Sequence, residues 1–211
     1  MRAIWFLLLT CVCFAAISQK QPGFGGLLIK LNSSGMVVHS TIEPFRASEQ
    51  TSLQWSASAG IFYVTPNFKK FRLEAQLGYE AVGSGKEFFY NSQANEWVRI
   101  FDQYRTVTAS LFLRRSLTKK ENWYLNAGVK TSFVFDHLVR HSSTFPGPTS
   151  SIILNPEVKR VFSAAAAEIG WIRPKGEIVV SGWYSKMPII EDKNVTSKPF
   201  GLSFTVKAFV F

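Results

Sequence analysis

The segment from residue 200 to residue 211, FGLSFTVKAFVF, alternates between apolar and polar side chains. Its even positions are apolar from Phe200 to Val210, and its odd positions up to Lys207 are polar or glycine. Alternation with a period of two predicts a β-strand that has one apolar face and one polar face. The same alternation identifies the other strands of the chain.

Seven earlier segments alternate in the same way, which gives eight predicted strands. They span residues 25–33, 51–64, 71–82, 101–115, 123–136, 160–173, 177–187 and 200–211. The sixth contains the run AAAAE, which also favours a helix, but its spacing of Val161, Ile169 and Trp171 fits a strand. The seventh is ambiguous about which face is apolar.

The connections between these segments alternate between long and short. The short ones precede the third, fifth and seventh strands, and the longest runs from His137 to Lys159. All nine prolines fall between strands or at strand ends, where no ladder hydrogen bond is lost. Short turns at one end and longer loops at the other are typical of up-and-down outer-membrane barrels. The fold class predicted is all-β, an eight-stranded antiparallel up-and-down transmembrane β-barrel.

Residues 1–18 read as a secretory signal peptide, and residues 19–211 as the barrel domain. Arg2 precedes an apolar run over residues 4–17, and the small residues Ala16 and Ser18 precede the predicted cleavage site. Both cysteines, Cys11 and Cys13, lie inside this segment, so the predicted mature chain forms no disulfide.

The alternative to a membrane barrel is a soluble eight-stranded calyx, which would turn its polar faces to water. The chain is 46% hydrophobic and only 18% charged, and the polar face of the second strand is mostly Gln, Ser and Gly. Small uncharged residues suit a crowded interior better than a solvated surface, so we expect polar faces inward. The expected lipid-facing residues are Trp55, Leu77, Val129, Phe133 and Phe204.

The inward faces carry five basic and four acidic side chains, which must be paired because an isolated buried charge is costly. They are Lys30, Arg72, Glu74, Glu80, Arg114, Lys130, Asp136, Glu168 and Lys207. Counting from the short turns, Lys30, Glu74, Lys130, Glu168 and Lys207 lie at similar depth and are predicted to form one network. Side chains fill an eight-stranded barrel and leave no wide channel.

The signal peptide, the first strand GGLLIKLN, the short basic turns and the terminal FTVKAFVF together resemble the eight-stranded outer-membrane β-barrel family of the OmpA/OmpX-like, porin-family type. The resemblance implies the bacterial outer membrane, both termini periplasmic, outer-membrane lipids as partners, and recognition of the C-terminal strand by the barrel-assembly machinery. In that family the residues alternating back from a terminal phenylalanine are usually apolar, but here Lys207, Thr205 and Ser203 depart from the pattern. Either a bulge near Ala208 shifts the phase, or assembly recognition is atypical.

Candidate chemistry is sparse. Asp136, His137 and His141 precede Ser142 and Ser143, the residue types of a nucleophilic site, but nothing in their spacing supports a triad. Two histidines four residues apart could share a metal only on a helix. We therefore expect no enzyme activity, no metal and no cofactor.

The formal net charge of +10 raises the question of nucleic acid, but its distribution favours lipid. Basic residues cluster near the short turns: Lys69, Lys70, Arg72, Arg114, Arg115, Lys119, Lys120, Arg173 and Lys175. They would contact anionic phospholipid headgroups or simply be solvated. The predicted function is a monomeric structural or surface-binding envelope component; the alternatives are a narrow passive channel and a lipid-modifying enzyme with its site at the rim.

Overall fold

The computed structural model describes residues 23–40, 53–66, 71–91, 96–118, 122–143, 149–152, 158–191 and 195–210. The predicted signal peptide and Phe211 lie outside this part of the chain. The described strands are β1 (Phe24–Ser40), β2 (Gln54–Val64), β3 (Phe71–Asn91), β4 (Glu96–Ser116), β5 (Trp123–Ser143), β6 (Thr149–Ile152), β7 (Val161–Arg173), β8 (Gly176–Tyr184), β9 (Ile190–Glu191) and β10 (Val195–Phe209). The described residues contain no helix long and apolar enough to cross a membrane.

Eight of these strands form a closed antiparallel barrel in the order β1-β2-β3-β4-β5-β7-β8-β10. Closure is made by β1 and β10, whose register pairs Leu31 with Phe204 and Lys30 with Thr205. The short β6 pairs with β5, and β9 pairs with β10. The predicted eight-stranded up-and-down barrel is therefore confirmed, and closure pairs the first strand with the last.

The two ends of the barrel differ, and we call them the turn end and the loop end. At the turn end, short connections join β2 to β3, β4 to β5 and β7 to β8. The last of these is Pro174–Lys175, and the next residue, Gly176, is so close to the β10 backbone that a Cβ would lie 2.1 Å from the Lys207 carbonyl oxygen. β1 begins and β10 ends at this same end, where Gly26 pairs with Phe209.

At the loop end, β3, β4 and β5 extend beyond the predicted strands. Residues 83–99 and 137–143 were expected to be loop, yet Gly83 pairs with Gln103, and the β3–β4 ladder continues to Asn91 and Glu96. The alternation of apolar and polar residues fades in these segments, so periodicity alone did not predict them as strands. Backbone hydrogen bonds between neighbours in a hairpin are sufficient to continue the strands.

Register explains one wrong prediction and settles two open ones. The β4–β5 ladder shifts between Arg105 and Thr106, so Asp136 faces outward and pairs with Arg105 at 3.0 Å instead of entering the lumen. The β10 ladder with β8 is continuous to Ala208, which excludes the bulge considered there. On β8, the residues with the parity of Glu177 face inward, and those with the parity of Ile178 face outward.

Candidate functional site

The outer face of the barrel is an exposed belt of large apolar side chains. The five residues expected to face lipid all lie on it: Trp55 is 67% exposed, and Phe133, the least exposed of the five, is 46% exposed. The belt also contains Leu27, Ile29, Leu31, Ile61, Val107, Leu113, Leu125, Ile169, Val180, Leu202 and Val206. These residues come from every barrel strand, so the belt surrounds the molecule.

Inside, five ionised side chains form what we call the interior charge cluster: Glu74, Arg114, Glu168, Glu177 and Lys207. The ammonium group of Lys207 forms an ion pair with Glu74. It also lies 3.6 Å from a carboxylate oxygen of Glu168 and 3.7 Å from one of Glu177. One fully buried lysine from the last strand thus contacts carboxylates from three other strands.

Arg114, on β4, contacts two of these three carboxylates. Its guanidinium donates to Glu74 at 3.2 Å and forms a second ion pair with Glu177. It stacks on the ring of Tyr124, 3.4 Å from the centroid, and the Tyr124 hydroxyl donates to Glu177 at 2.6 Å. Arg114 was also predicted among the turn-end cations, but it is buried here, so it cannot contact headgroups.

Two amides satisfy the remaining carboxylate oxygens. Asn126 donates to Glu74 at 2.9 Å and to Glu168 at 2.8 Å, and Gln76 donates to the same two residues. The Gln76 carbonyl oxygen accepts from Lys30 at 2.9 Å. With Lys30 from β1, seven of the eight barrel strands contribute described residues to this hydrogen-bonded set, and β2 contributes none of those described.

The five residues predicted to form one network are placed in two groups. Glu74, Glu168 and Lys207 are in direct contact, and Lys30 reaches them through Gln76. Lys130 instead pairs with Glu80 and lies 3.9 Å above the ring of Trp183. Sequence reasoning missed Glu177 because the facing of its strand was ambiguous; choosing the parity that turns Ile178 outward would have found it.

The interior also contains apolar layers that the sequence analysis did not predict. On the loop-end side lies the upper apolar cluster, made of Met36, Val82, Tyr104, Val134, Phe162, Ala164, Trp183 and Ile189. On the turn-end side Leu28, Phe62 and Val64 pack with Phe24 and Phe209. A cavity of about 10 Å³ beside Lys30 and Glu80 has room for a single water molecule.

Of the residues considered for catalysis, the two whose side chains the structure describes are not brought together. Asp136 is paired with Arg105 on the outer face, whereas His137 is buried inside and stacks on Tyr104 with ring centroids 4.3 Å apart. The side chains of His141, Ser142 and Ser143 lie outside the described part. Among the described residues, no group of three or more His, Cys, Asp or Glu side chains could hold a metal ion.

The cations that remain at the turn end lie beside aromatic rings. Arg173 covers Trp171 at 3.7 Å, Trp171 stacks with Trp123, and Arg115 lies 5.9 Å from the ring of Phe71. Lys175 is exposed, and Arg72 lies over the ring of Phe24 at 5.6 Å. Lys69, Lys70, Lys119 and Lys120 are outside the described residues.

Comparison with solved structures gives matches of low sequence identity over most of the chain. Ail, the attachment invasion locus protein of Yersinia pestis, aligns at 15% identity and a TM-score of 0.48, over 90% of this chain and 100% of Ail. Neisserial surface protein A aligns at 12% identity and 0.41, over 89% and 99%. OprG from Pseudomonas aeruginosa aligns at 11% and 0.41, over 87% and 94%.

No family model and no curated protein matches the chain. At these identities the structural matches concern the fold alone. The architecture itself follows from the chain's own strand order and closure: this is an eight-stranded antiparallel β-barrel, the fold that the sequence resemblance implied.

Proposed function

We propose that this chain is an integral outer-membrane β-barrel, a structural or surface-binding component of the bacterial envelope without catalytic activity, working as a monomer. The observation that carries the proposal is the apolar belt on a closed barrel. The largest exposed apolar patch of a typical soluble monomer is about 300–600 Å². A ring of exposed Leu, Ile, Val, Phe and Trp around a whole molecule is stable in hydrocarbon and not in water.

The limits of the belt support this placement. On β5, outward-facing residues are apolar from Trp123 to Phe135, apart from Thr131, and the next outward residue is the ion-paired Asp136. Such a run is long enough, because a tilted strand needs about 9–11 residues to cross a bilayer. At the turn end, Trp123 and Trp171 with Arg173 provide the aromatic and cationic contacts typical of a membrane interface.

Orientation follows from the rule that outer-membrane barrels keep short turns in the periplasm. The turn end, with both chain ends, would then be periplasmic, and the basic residues there would contact headgroups of the inner leaflet. The extended parts of β3, β4 and β5, with β6, would project outside the cell as a surface for binding. The assembly machinery would recognise β10.

The filled interior favours this function over a channel. The charge cluster and both apolar clusters occupy the lumen of the described barrel, and buried ion pairs fill space that a passing ion would need. A rim enzyme has less support, because Asp136 and His137 point to opposite sides of the wall.

Fractionation tests the proposal. We expect the protein in the outer membrane, extractable only with detergent and migrating faster on gels when unboiled. Leu77→Arg on the belt should destabilise it by about 2–4 kcal/mol. Thr118→Arg in an exposed turn removes only an exposed hydrogen bond to Asn122 and should change the stability by no more than about 0.5 kcal/mol. Recovery of the wild type as a soluble periplasmic monomer, or equal tolerance of both substitutions, would contradict the placement.

A further inference from the structure

The belt contains a shallow, open groove of about 640 Å³ on the outer face of β7, β8 and β10. Its floor is made of Ala165, Ala167 and Gly182, and the register places Ala167 beside Gly182. Because these side chains are absent or a single carbon, the wall is recessed here, while the same strands carry Ile169 and Val180 one step nearer the turn end.

Larger side chains border the recess. Tyr184 lies beside Ala165 on one strand and beside Phe200 on the other, and Leu202 lies beside Gly182. A second copy of the same face would fit it poorly, because two concave surfaces placed together leave both recesses empty. A flexible hydrocarbon chain can follow the recess and fill it.

Positive charge lies at the loop-end mouth of the groove. Lys198 precedes Phe200 by two residues, so it shares the outward face and lies about 7 Å further along the strand. Lys186 is exposed and follows Tyr184 by two residues. The described acid at this rim, Glu191, is already paired with Lys159. The mouth therefore has cationic groups available for an anionic headgroup.

We propose that the groove and the two lysines, Lys198 and Lys186, bind one phosphate-bearing glycolipid of the outer leaflet. An acyl chain fills the recess over Ala165, Ala167 and Gly182, and a phosphate group contacts the lysines. The inference rests on the proposed function, which puts the loop end in the outer leaflet. Charge complementarity at the mouth and apolar lining below it match the two parts of such a lipid.

The headgroup is tested by native mass spectrometry of the folded protein in detergent, titrated with lipid A, with dephosphorylated lipid A and with phosphatidylglycerol. We expect one molecule of lipid A to be retained, and Lys198→Gln to weaken its binding about fivefold. Lys175→Gln, which removes an exposed lysine at the turn end, should leave binding unchanged. Dephosphorylated lipid A should bind more weakly and be insensitive to Lys198→Gln.

The groove is tested by filling it. Ala167→Phe should weaken binding of lipid A about threefold, a modest loss because in hydrocarbon an acyl chain gains only packing contacts. Ala109→Phe, an equally outward alanine on β4, is the matched control and should bind as the wild type does. Each variant is first checked for faster migration when unboiled, which shows that the barrel has folded.

Two results would overturn the inference. Equal retention of all three lipids by every variant would mean unspecific annular lipid, and equal binding of phosphatidylglycerol would refute the glycolipid. Failure of this inference is distinguishable from failure of the proposed function. A heat-modifiable barrel without lipid preference refutes only the groove, whereas a protein soluble without detergent refutes the membrane placement itself.

Discussion

Two of the layers that fill the barrel interior have opposite chemistry, although inward-facing residues of β3, β4, β7 and β8 contribute to both. The interior charge cluster is held together by ion pairs around Lys207 and Arg114. The upper apolar cluster, nearer the loop end, is held together by packing of residues such as Phe162 and Trp183, whose ring centroids are 6.4 Å apart. On β7 the change occurs within six residues, from Phe162 to Glu168.

The difference shows that strand alternation determines whether a side chain points inward or outward, but not whether its neighbours there are charged or apolar. The charge cluster also depends on the apolar layer beside it. Buried ion pairs are tolerated when every charge has its partners, and the apolar layer keeps bulk water from replacing those partners. The two layers also differ in specificity: the charge cluster requires particular residues opposite one another, whereas an apolar layer does not.

The strongest test of this comparison removes the central cation. Lys207→Met should destabilise the folded barrel by about 3–5 kcal/mol, because Glu74 and Glu177 would then share only Arg114 among the described ionised partners, and Glu168 would lose its described ion pair. Equilibrium unfolding in urea from detergent or lipid measures the loss. Lys175→Met, at an exposed turn position, is the control, and a loss no larger than that of the control would mean that the cluster is solvated.

A double-mutant cycle ranks the contacts inside the charge cluster. Glu74→Gln combined with Lys207→Met should show a coupling energy of about 1–3 kcal/mol, since the two groups are in direct contact. The cycle with Glu168→Ala should give a smaller coupling, because that carboxylate lies 3.6 Å from the ammonium group. In that second cycle, Glu168→Ala by itself should destabilise the barrel. Adding Lys207→Met to that variant should lower the free energy of unfolding by less than Lys207→Met does in the wild type. Strictly additive losses in both cycles would contradict the assigned pairing.

Substitutions in the upper apolar cluster should lower the free energy of unfolding less than those in the charge cluster, and independently of them. Phe162→Leu keeps most of the buried volume and should cost about 1 kcal/mol. Its effect should add to that of Lys207→Met, because the two layers share no direct contact at these positions. The same unfolding measurement checks this, and strong coupling between Phe162 and Lys207 would show that the layers are not separate.

The smallest expected effect is on conductance. Wild-type protein in planar bilayers should stay near the baseline, and Lys207→Met should do so too, because the upper apolar cluster still fills the lumen. A large steady conductance of the wild type would favour the narrow-channel alternative. Conductance gained only on Lys207→Met would show that the charge cluster alone closes the barrel.

The sequence predicted most of the fold because β-alternation was regular where a strand carries part of the apolar belt. Trp123, Val129 and Phe204 are placed outward as their parity requires. It failed where that signal stops: the alternation fades in the strand extensions beyond Gly83, and the register shift beside Arg105 moves Asp136 outward without any local sequence mark. The charge cluster was predicted in part. Glu74, Glu168 and Lys207 lie in contact, but Glu177 was missed because the facing of its strand was ambiguous, and Lys130 pairs with Glu80 instead.

The position of Lys207 and Phe209 on the final strand has a consequence for the order of folding. Phe209 completes the turn-end cluster with Phe24, from the opposite end of the chain, and Lys207 brings the cation that Glu74 contacts. Both contacts form only when the last strand reaches the first, so the most non-local pairing also supplies one of the two cations of the interior charge cluster. A strand displaced by one residue would turn Lys207 outward and leave those carboxylates behind. The interior thus discriminates between correct and incorrect closure at the last step of assembly.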